Sequence, residues 1–477
     1  QAPDGGRARR RARRRGARRM RFLTLLPRAA GVAALGATTG LVLPRRLAAP
    51  AEPHKAAQPP KGAPKASELR SAMDPHLWLE EIEGEAALEW CKEQNSRAVG
   101  IVGDPHASDT YRKILAIADS KDKIPHVGRI GGRTGDEEAP VYYNFWQDAH
   151  NVRGVWRRTS LASYRSDEPS WETVLSLDAL NGVEARAEGE EWVWGGYDLL
   201  DEGGGRSLWD RALLFLSPGG TDATVVREFD LGTRAFVEGG FRTTTPAKCE
   251  VGFRRRDEVL IGTDFDGTGA SLTDSGYPRV IKSWRRGTPL ESAVTVFEVG
   301  KGDISASQYA YHDRAGAVHE FQLRALSFYQ TEQFYRRPDL RLAAADDPTP
   351  FRRVPIPDDT TLGTFGEQAT LLLRSAWAPP KAPGGREYAA GTLLTAPLEQ
   401  VMRGDWSAAT ALFEPHADGS TSLQGYAATA NYLVLETSRH VRAELGFWRH
   451  GPTGWSYEAG CSGGGGGVPV PVGESVG

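Results

Sequence analysis

"ALLFLSPGGTDATVVREFDLGTRAF", residues 212–236, carries two apolar runs separated by turn residues. Leu213–Leu216 and Thr224–Phe229 have the Leu, Val and Phe content of strands. Pro218-Gly219-Gly220 joins them: proline fixes φ, and glycine supplies the left-handed backbone that a tight reversal needs. Gly232 opens the next turn. The unit is an antiparallel hairpin. Strands of the same kind recur at "VYYNFW" (141–146), "EVLIGTDF" (258–265), "TLLLRSAW" (370–377) and "NYLVLETS" (431–438). A weak phrase also repeats: "VWRRTSLASY" (155–164), "SWRRGTPLES" (283–292) and "FWRHGPTGWS" (447–456) each place Trp, then Arg, then a turn. Hairpins repeated over this length favour a β-propeller, ahead of two β-sandwiches.

Composition agrees with a soluble, turn-rich chain. The 477 residues are 40% hydrophobic and 25% charged, with 55 Gly and 30 Pro. Cys91, Cys249 and Cys461 lie far apart with no C-x-x-C, so neither a disulfide framework nor a zinc site is indicated. The formal net charge of -3 hides an asymmetry: residues 1–50 hold thirteen Arg against Asp4 alone, which leaves about -15 on residues 51–477. Clustered Arg such as "RARRRARRRGARR" can grip phosphates. No folded motif or interleaved aromatic accompanies it, so no nucleic-acid partner is assigned.

Met20 is expected to be the true start, or else the N-terminus is incomplete. From there a basic start, an uncharged run from Ala29 to Leu43, and Ala49 and Ala51 in A-x-A spacing match a signal or transit peptide. The run is short for a stable membrane span. The mature domain is then expected to be soluble, and organellar or secreted if this leader over 20–51 works. Residues 51–73, rich in Ala, Pro and Lys, have the composition of a disordered linker. A helical segment follows over 74–123. Asp74 is the expected cap with Pro75 at the first helical position; Ala87, Leu88 and Cys91 mark one buried stripe, and Tyr111, Ile114, Leu115 and Ala118 a second helix. The propeller is expected over 124–459, and residues 460–477 form a Gly-rich, divergent end.

The residues themselves resemble a family. "DPHLWLEEIEGEAALEW" (74–90) is similar to the opening segment of the prolyl oligopeptidase family of serine peptidases. "YYNFWQDAHNVRGVWRRTSLASY" (142–164), "WETVLSLDAL" (171–180), "EEWVWGGYDLL" (190–200), "FLSPGGTDATVVREFDLGTRAFVEGGF" (215–241) and "GTDFDGTGASLTDSGYPRVIKSWRRGTPL" (262–290) resemble its propeller, in order. The resemblance covers about Asp74 to Trp455. It implies a mainly β fold, a seven-bladed propeller that is incomplete here, preceded by the short helical segment. It further implies a serine-type endopeptidase acting on short proline-containing peptides, with the propeller gating entry to an α/β-hydrolase domain that carries Ser, Asp and His. By family the compartment would be cytoplasmic.

That constellation is not found in these residues. Gly460-Cys461-Ser462-Gly463-Gly464 fits G-x-S-x-G, but a nucleophile elbow needs a helix after the serine, and "VPVPVGESVG" cannot propagate one. The hydroxyl also needs an imidazole base oriented by a carboxylate. No His follows Ser462; His440 and His450 both precede it, in strand-like sequence. Asp264, Asp266 and Gly267 in "DFDGTG" lack the remaining ligands of a calcium loop. His319-Glu320 lacks the second His of a zinc-protease motif, and "VGKGD" (299–303) lacks P-loop spacing. Trp146, Trp156, Trp192, Trp194 and Trp284 fit strand packing better than a binding channel. No catalytic, cofactor-binding or metal residue is therefore assigned, no cofactor is expected, and the chain alone is expected to be inactive. The alternative from another class is a non-catalytic peptide- or protein-binding propeller scaffold. A sugar hydrolase would need two placed carboxylates, and none stands out.

Overall fold

The computed structural model describes residues 74–462 apart from 82–83, 132–137, 185–188, 204–207, 314 and 430. The Arg-rich tail, the expected leader, the linker and the end from Gly463 lie outside the described residues. No helix among the described residues is long and apolar enough to cross a membrane. These residues fall into two compact units that divide between Lys123 and Ile124.

The first unit is helical. Asp74 does not cap an α-helix: its carboxylate accepts the His76 N–H (2.8 Å) in a turn, and one 3-10 turn, Leu77–Glu80, follows. Two α-helices come next, α1 (Glu85–Val102) and α2 (Asp109–Ala118). The Ser108 hydroxyl accepts the Tyr111 N–H (3.1 Å), so α2 starts at Asp109, ahead of the expected Tyr111. The expected burial does not follow. Ala87 alone is buried in α1 and no residue is in α2, while Leu88 is 45%, Ile114 62% and Ile117 72% exposed. Periodicity shows which face needs cover, not that a cover is present.

The second unit consists of antiparallel sheets, each with four strands side by side in chain order. Blade 1 contains β1 (Gly128–Arg129), β2 (Tyr142–Trp146), β3 (Val155–Thr159) and β4 (Glu172–Ser176). Blade 2 contains β5 (Trp192–Leu199), β6 (Arg211–Pro218), β7 (Val225–Asp230) and β8 (Ala235–Phe236). Blade 3 contains β9 (Glu250–Arg255), β10 (Glu258–Gly262), β11 (Val280–Arg285) and β12 (Val294–Glu298). Blade 4 contains β13 (Ser305–His312), β14 (Val318–Ser327), β15 (Gln330–Arg336) and β16 (Arg352–Arg353). Blade 5 contains β17 (Thr361–Phe365), β18 (Gln368–Leu372), β19 (Leu393–Pro397) and β20 (Thr410–Phe413). Blade 6 contains β21 (Thr421–Ala428), β22 (Tyr432–Arg439), β23 (Arg442–Gly451) and β24 (Gly454–Ser462). Six blades thus stand among the described residues, where the family resemblance implies seven for a full ring. β24 runs past residue 459, the expected end of propeller sequence, to Ser462.

The core lies between blades. Tyr143, Trp156 and Val174 of blade 1 meet Leu214 and Phe229 of blade 2. Leu213 and Val226 of blade 2 meet Val259, Ile261 and Trp284 of blade 3. Smaller clusters join blade 3 to blade 4 through Leu260 and Ala306, and blade 5 to blade 6 through Leu393 and Leu433. The largest joins Phe321 and Tyr335 of blade 4 to Leu371 and Leu394 of blade 5. Alternation along each strand is what supplies one apolar row to each neighbour.

The repeated Trp-Arg phrases all fall on third strands, β3, β11 and β23, but their Trp residues do not face alike. Trp156 faces the following blade, whereas Trp284 and Trp448 face the preceding one. A one-residue difference in register exchanges the faces of a strand, so the phrase marks the strand and not the direction of its aromatic. Gly363 in β17 is a close-approach position: a Cβ there would lie 2.8 Å from both Thr370 Oγ1 and Tyr426 Oη. Its missing side chain lets Tyr426, from the first strand of blade 6, seat against blade 5.

Candidate functional site

Ser462 is the last residue of β24, with Glu444 as its Cα partner, while Trp455 pairs with His450. Seven residues of extended strand therefore separate Ser462 from the level of His450, roughly 23 Å at ~3.3 Å per residue. His440 sits in the turn between β22 and β23, exposed, with φ 48°. The "DFDGTG" carboxylates serve their own turn: Asp264 accepts the Gly269 N–H (3.1 Å), and Asp266 accepts the amide (3.0 Å) and hydroxyl (2.7 Å) of Thr268. Among the described residues, no three His, Cys, Asp or Glu side chains group in a metal-binding arrangement. Trp156, Trp192 and Trp284 are buried, and Trp194 packs on Trp156 with ring centres 5.2 Å apart.

The polar side chains that the fold does assemble are ones the sequence assigned to no site. Between blades 3 and 4, Glu320 of β14 accepts from Arg254 Nε of β9 (2.6 Å) and from Arg336 Nε of β15 (2.7 Å). Arg254 Nη1 also donates to Glu258 of β10 (3.0 Å) and to the Leu342 carbonyl (2.7 Å). Glu258 in turn accepts the Ala344 N–H (2.7 Å), which ties the β15–β16 connection of blade 4 onto blade 3. Asp347 lies 3.6 Å from Arg254 Nη2; burial would raise its pKa, but the amides of Thr349 and Asp339 outweigh this and keep it low. Arg254, Glu258 and Glu320 are fully buried. Beside them opens a cleft of about 460 Å³, walled by Phe297, Phe334, Phe351 and Arg336.

His319, adjacent in sequence to Glu320, points to the opposite face of β14. Its Nε2 lies 3.2 Å from Asp313 Oδ2 and its Nδ1 2.9 Å from Tyr335 Oη. An ionised carboxylate can only accept, so Nε2 carries the proton and Nδ1 accepts from the phenol. The Tyr311 ring stacks on the imidazole at 4.7 Å, and its hydroxyl donates to the Gly366 carbonyl of blade 5 (3.2 Å). Asp–His–hydroxyl is the order of a nucleophilic relay. Here the hydroxyl is the Tyr335 phenol, whose pKa burial pushes up to about 12, so it stays protonated; the series lies within blade 4, and Tyr311 carries it to blade 5.

Burial lowers the His319 pKa below 6.5, and the Asp313 partner only partly opposes this. The folded chain therefore binds fewer protons than the unfolded chain below about 6.5. This contribution to stability is complete above that pH and is lost as the pH falls through the folded value. Asp313, whose own pKa is lowered, acts in a separate window below about 3.8. Glu250, whose carboxyl burial pushes up to about 7, acts with the opposite sign in this range, so the His319 effect is read as a difference: between pH 7.5 and pH 5, His319→Gln is expected to lose less unfolding temperature, or gain more, than the parent chain. An unchanged slope in that variant would assign the effect elsewhere.

No family model matches the chain. It is 33% identical over 396 residues to the uncharacterized peptidase y4nA of Sinorhizobium fredii, across 81% of this chain and 50% of that protein. It is 29% identical over 311 residues to the uncharacterized peptidase RP174 of Rickettsia prowazekii, across 63% of this chain and 40% of that protein. The chain thus spans half or less of the length of these curated relatives. Among solved structures it resembles a post-proline cleaving enzyme from Rickettsia typhi, with TM-score 0.66 and 25% identity over 80% of this chain and 52% of that one. Oligopeptidase B from Leishmania major shares the fold, with TM-score 0.51 at 14% identity over 80% of this chain. Four-stranded blades that follow a short helical unit in chain order, matched in this way, define a β-propeller like that of the prolyl oligopeptidase family. The chain is a homologue of the prolyl oligopeptidase family, related to its propeller region.

Proposed function

We propose that the chain is the propeller portion of a serine-type endopeptidase acting on short proline-containing peptides, with the propeller limiting which chains reach the nucleophile. The observation that carries this reading is the match to the Rickettsia typhi post-proline cleaving enzyme over most of this chain. Exposed apolar side chains on α1 and α2, among them Val99, Ile101, Ile114 and Ile117, are of the kind that another body covers. The expected partner is an α/β-hydrolase domain with its nucleophile, acid and base in the order Ser, Asp, His.

The test joins residues 1–462 in frame to the half of the Sinorhizobium fredii relative that this chain does not span. The joined protein is expected to cleave a short peptide after proline, and to leave the same sequence intact within a folded protein. Equal cleavage of both substrates would contradict the gating role. A labelled serine without post-proline cleavage would contradict the substrate class.

A further inference from the structure

The first strands of blades 2, 3 and 4 lie side by side on the inner rim of the ring. The Phe253 N–H of β9 donates to Asp198 Oδ2 of β5 (3.1 Å), and a Cβ on Gly252 of β9 would lie 2.7 Å from Gln308 Nε2 of β13. Blades 1 and 5 flank these three, so each has both of its neighbours among the described residues. Blades 2 and 4 are not neighbours, yet they touch. Beyond β5, Glu202 accepts from Arg256 of the β9–β10 turn with both carboxylate oxygens (3.1 and 2.9 Å), which carries the chain across blade 3. Gly203 follows, buried and at φ 66°, against the imidazole of His312 at the end of β13. A Cβ on Gly203 would sit 2.1 Å from His312 Cδ2, so only glycine lets the ring lie there. The ring then turns Nδ1 toward Asp201 Oδ2, at 3.6 Å.

That separation is too long for a hydrogen bond. Nδ1 is nonetheless buried without a hydrogen-bond partner, and the His312 side chain is only 10% exposed. The other charges nearby are engaged: Glu202 and Asp210 both hold Arg256, and Asp313, next in sequence, is taken by His319 (3.2 Å). On β14 the partner of His312 is the apolar Val318. Asp201 accepts the Gly203 N–H through Oδ1 (2.9 Å), which leaves Oδ2 toward the imidazole. A neutral imidazole carries one proton, whereas an imidazolium carries one on each nitrogen. Imidazole is the side chain that makes this change between about pH 8 and pH 5. The second proton places a charged donor opposite a carboxylate, and such bonds close to about 2.7–2.9 Å, an approach here of about 0.8 Å.

We propose that His312 and Asp201 form an acid-strengthened tie between blades 2 and 4, slack while the imidazole is neutral and drawn into a charge-assisted hydrogen bond when it is protonated. The tie holds the residues after β5 against the end of β13 and tightens the inner rim over blade 3. It uses blades 2 to 4 alone and does not depend on the peptidase reading.

The test is hydrogen exchange of the whole chain at pH 7.5 and pH 5.5, read by mass spectrometry, with each rate divided by the intrinsic rate at that pH. The amides of residues 200–203 are expected to gain about tenfold or more in protection at the lower pH, the scale of a hydrogen bond to a charged group. Asp201→Asn keeps an acceptor for the Gly203 N–H and removes the charge, and is expected to abolish the gain at a similar unfolding temperature. His312→Gln is expected to abolish it as well, and gives the same reading should Asp201→Asn fail to fold. No gain in the parent chain, an equal gain in either variant, or a gain spread evenly over all the blades would overturn the proposal.

Discussion

Glu320→Gln is expected to destabilise the propeller by about 3–5 kcal/mol, the range for removing one partner from a buried ion pair. The carboxylate accepts from two guanidiniums at once, Arg254 and Arg336, and neither has appreciable access to solvent. Gln preserves the shape of the side chain and removes the charge. Arg254 would keep Glu258 and Asp347, whereas the buried Arg336 would lose the carboxylate it pairs with. Replacing both members of a pair with apolar groups avoids a stranded charge. Glu320→Leu with Arg336→Met is therefore expected to cost less than Glu320→Gln alone, a non-additivity that denaturant midpoints would reveal. A loss under about 1 kcal/mol in Glu320→Gln would mean that solvent reaches the cluster.

The second large effect is expected at the blade 1–blade 2 interface. Trp156 is 1% exposed, and its ring centre lies 4.9 Å from that of Tyr197, 5.2 Å from that of Trp194 and 5.3 Å from that of Tyr143. Trp156→Ala would remove the ring around which residues from both blades pack. Such truncations in cores cost about 3–5 kcal/mol, from lost transfer energy plus the cavity left behind. Against the ~5–15 kcal/mol by which native proteins are stable, that is a large share. Hydrogen exchange is expected to show the loss first in β3 and β6. Protection unchanged in both strands would show that the two blades hold together without this ring.

The hairpin at residues 212–236 shows how far the sequence was legible. The expected strands Leu213–Leu216 and Thr224–Phe229 fall within or nearly match β6 and β7, and Gly232 lies in the turn where Asp230 accepts the amides of Gly232 and Thr233. Turn chemistry and apolar alternation are local, so they are written in neighbouring residues. His319-Glu320 was weighed only as a zinc-protease pair, and the role of Glu320 stayed hidden because its partner is not a neighbour: Arg254 lies 66 positions before Glu320. Only the stacking of one blade on the next brings them together. The helical unit failed in the other direction. Leu88, Ile114 and Leu115 carry a clear periodic stripe, yet the stripe is exposed, because a pattern records the need for a cover and not its presence. Trp146 was seen as a packing residue, but its guanidinium partner became visible only when β2 and β3 paired Asn144 with Arg157.

The central proposal is that this chain supplies the propeller of a serine peptidase whose nucleophile is carried on another domain. The most direct test is to expose the folded chain to a fluorophosphonate probe, beside the Ser462→Ala variant and the joined protein carrying the hydrolase half of the relative. The account predicts no stoichiometric labelling of either version of the chain alone, and labelling of the joined protein at a serine in the added half. Stoichiometric labelling of the chain alone, lost in Ser462→Ala, would contradict it.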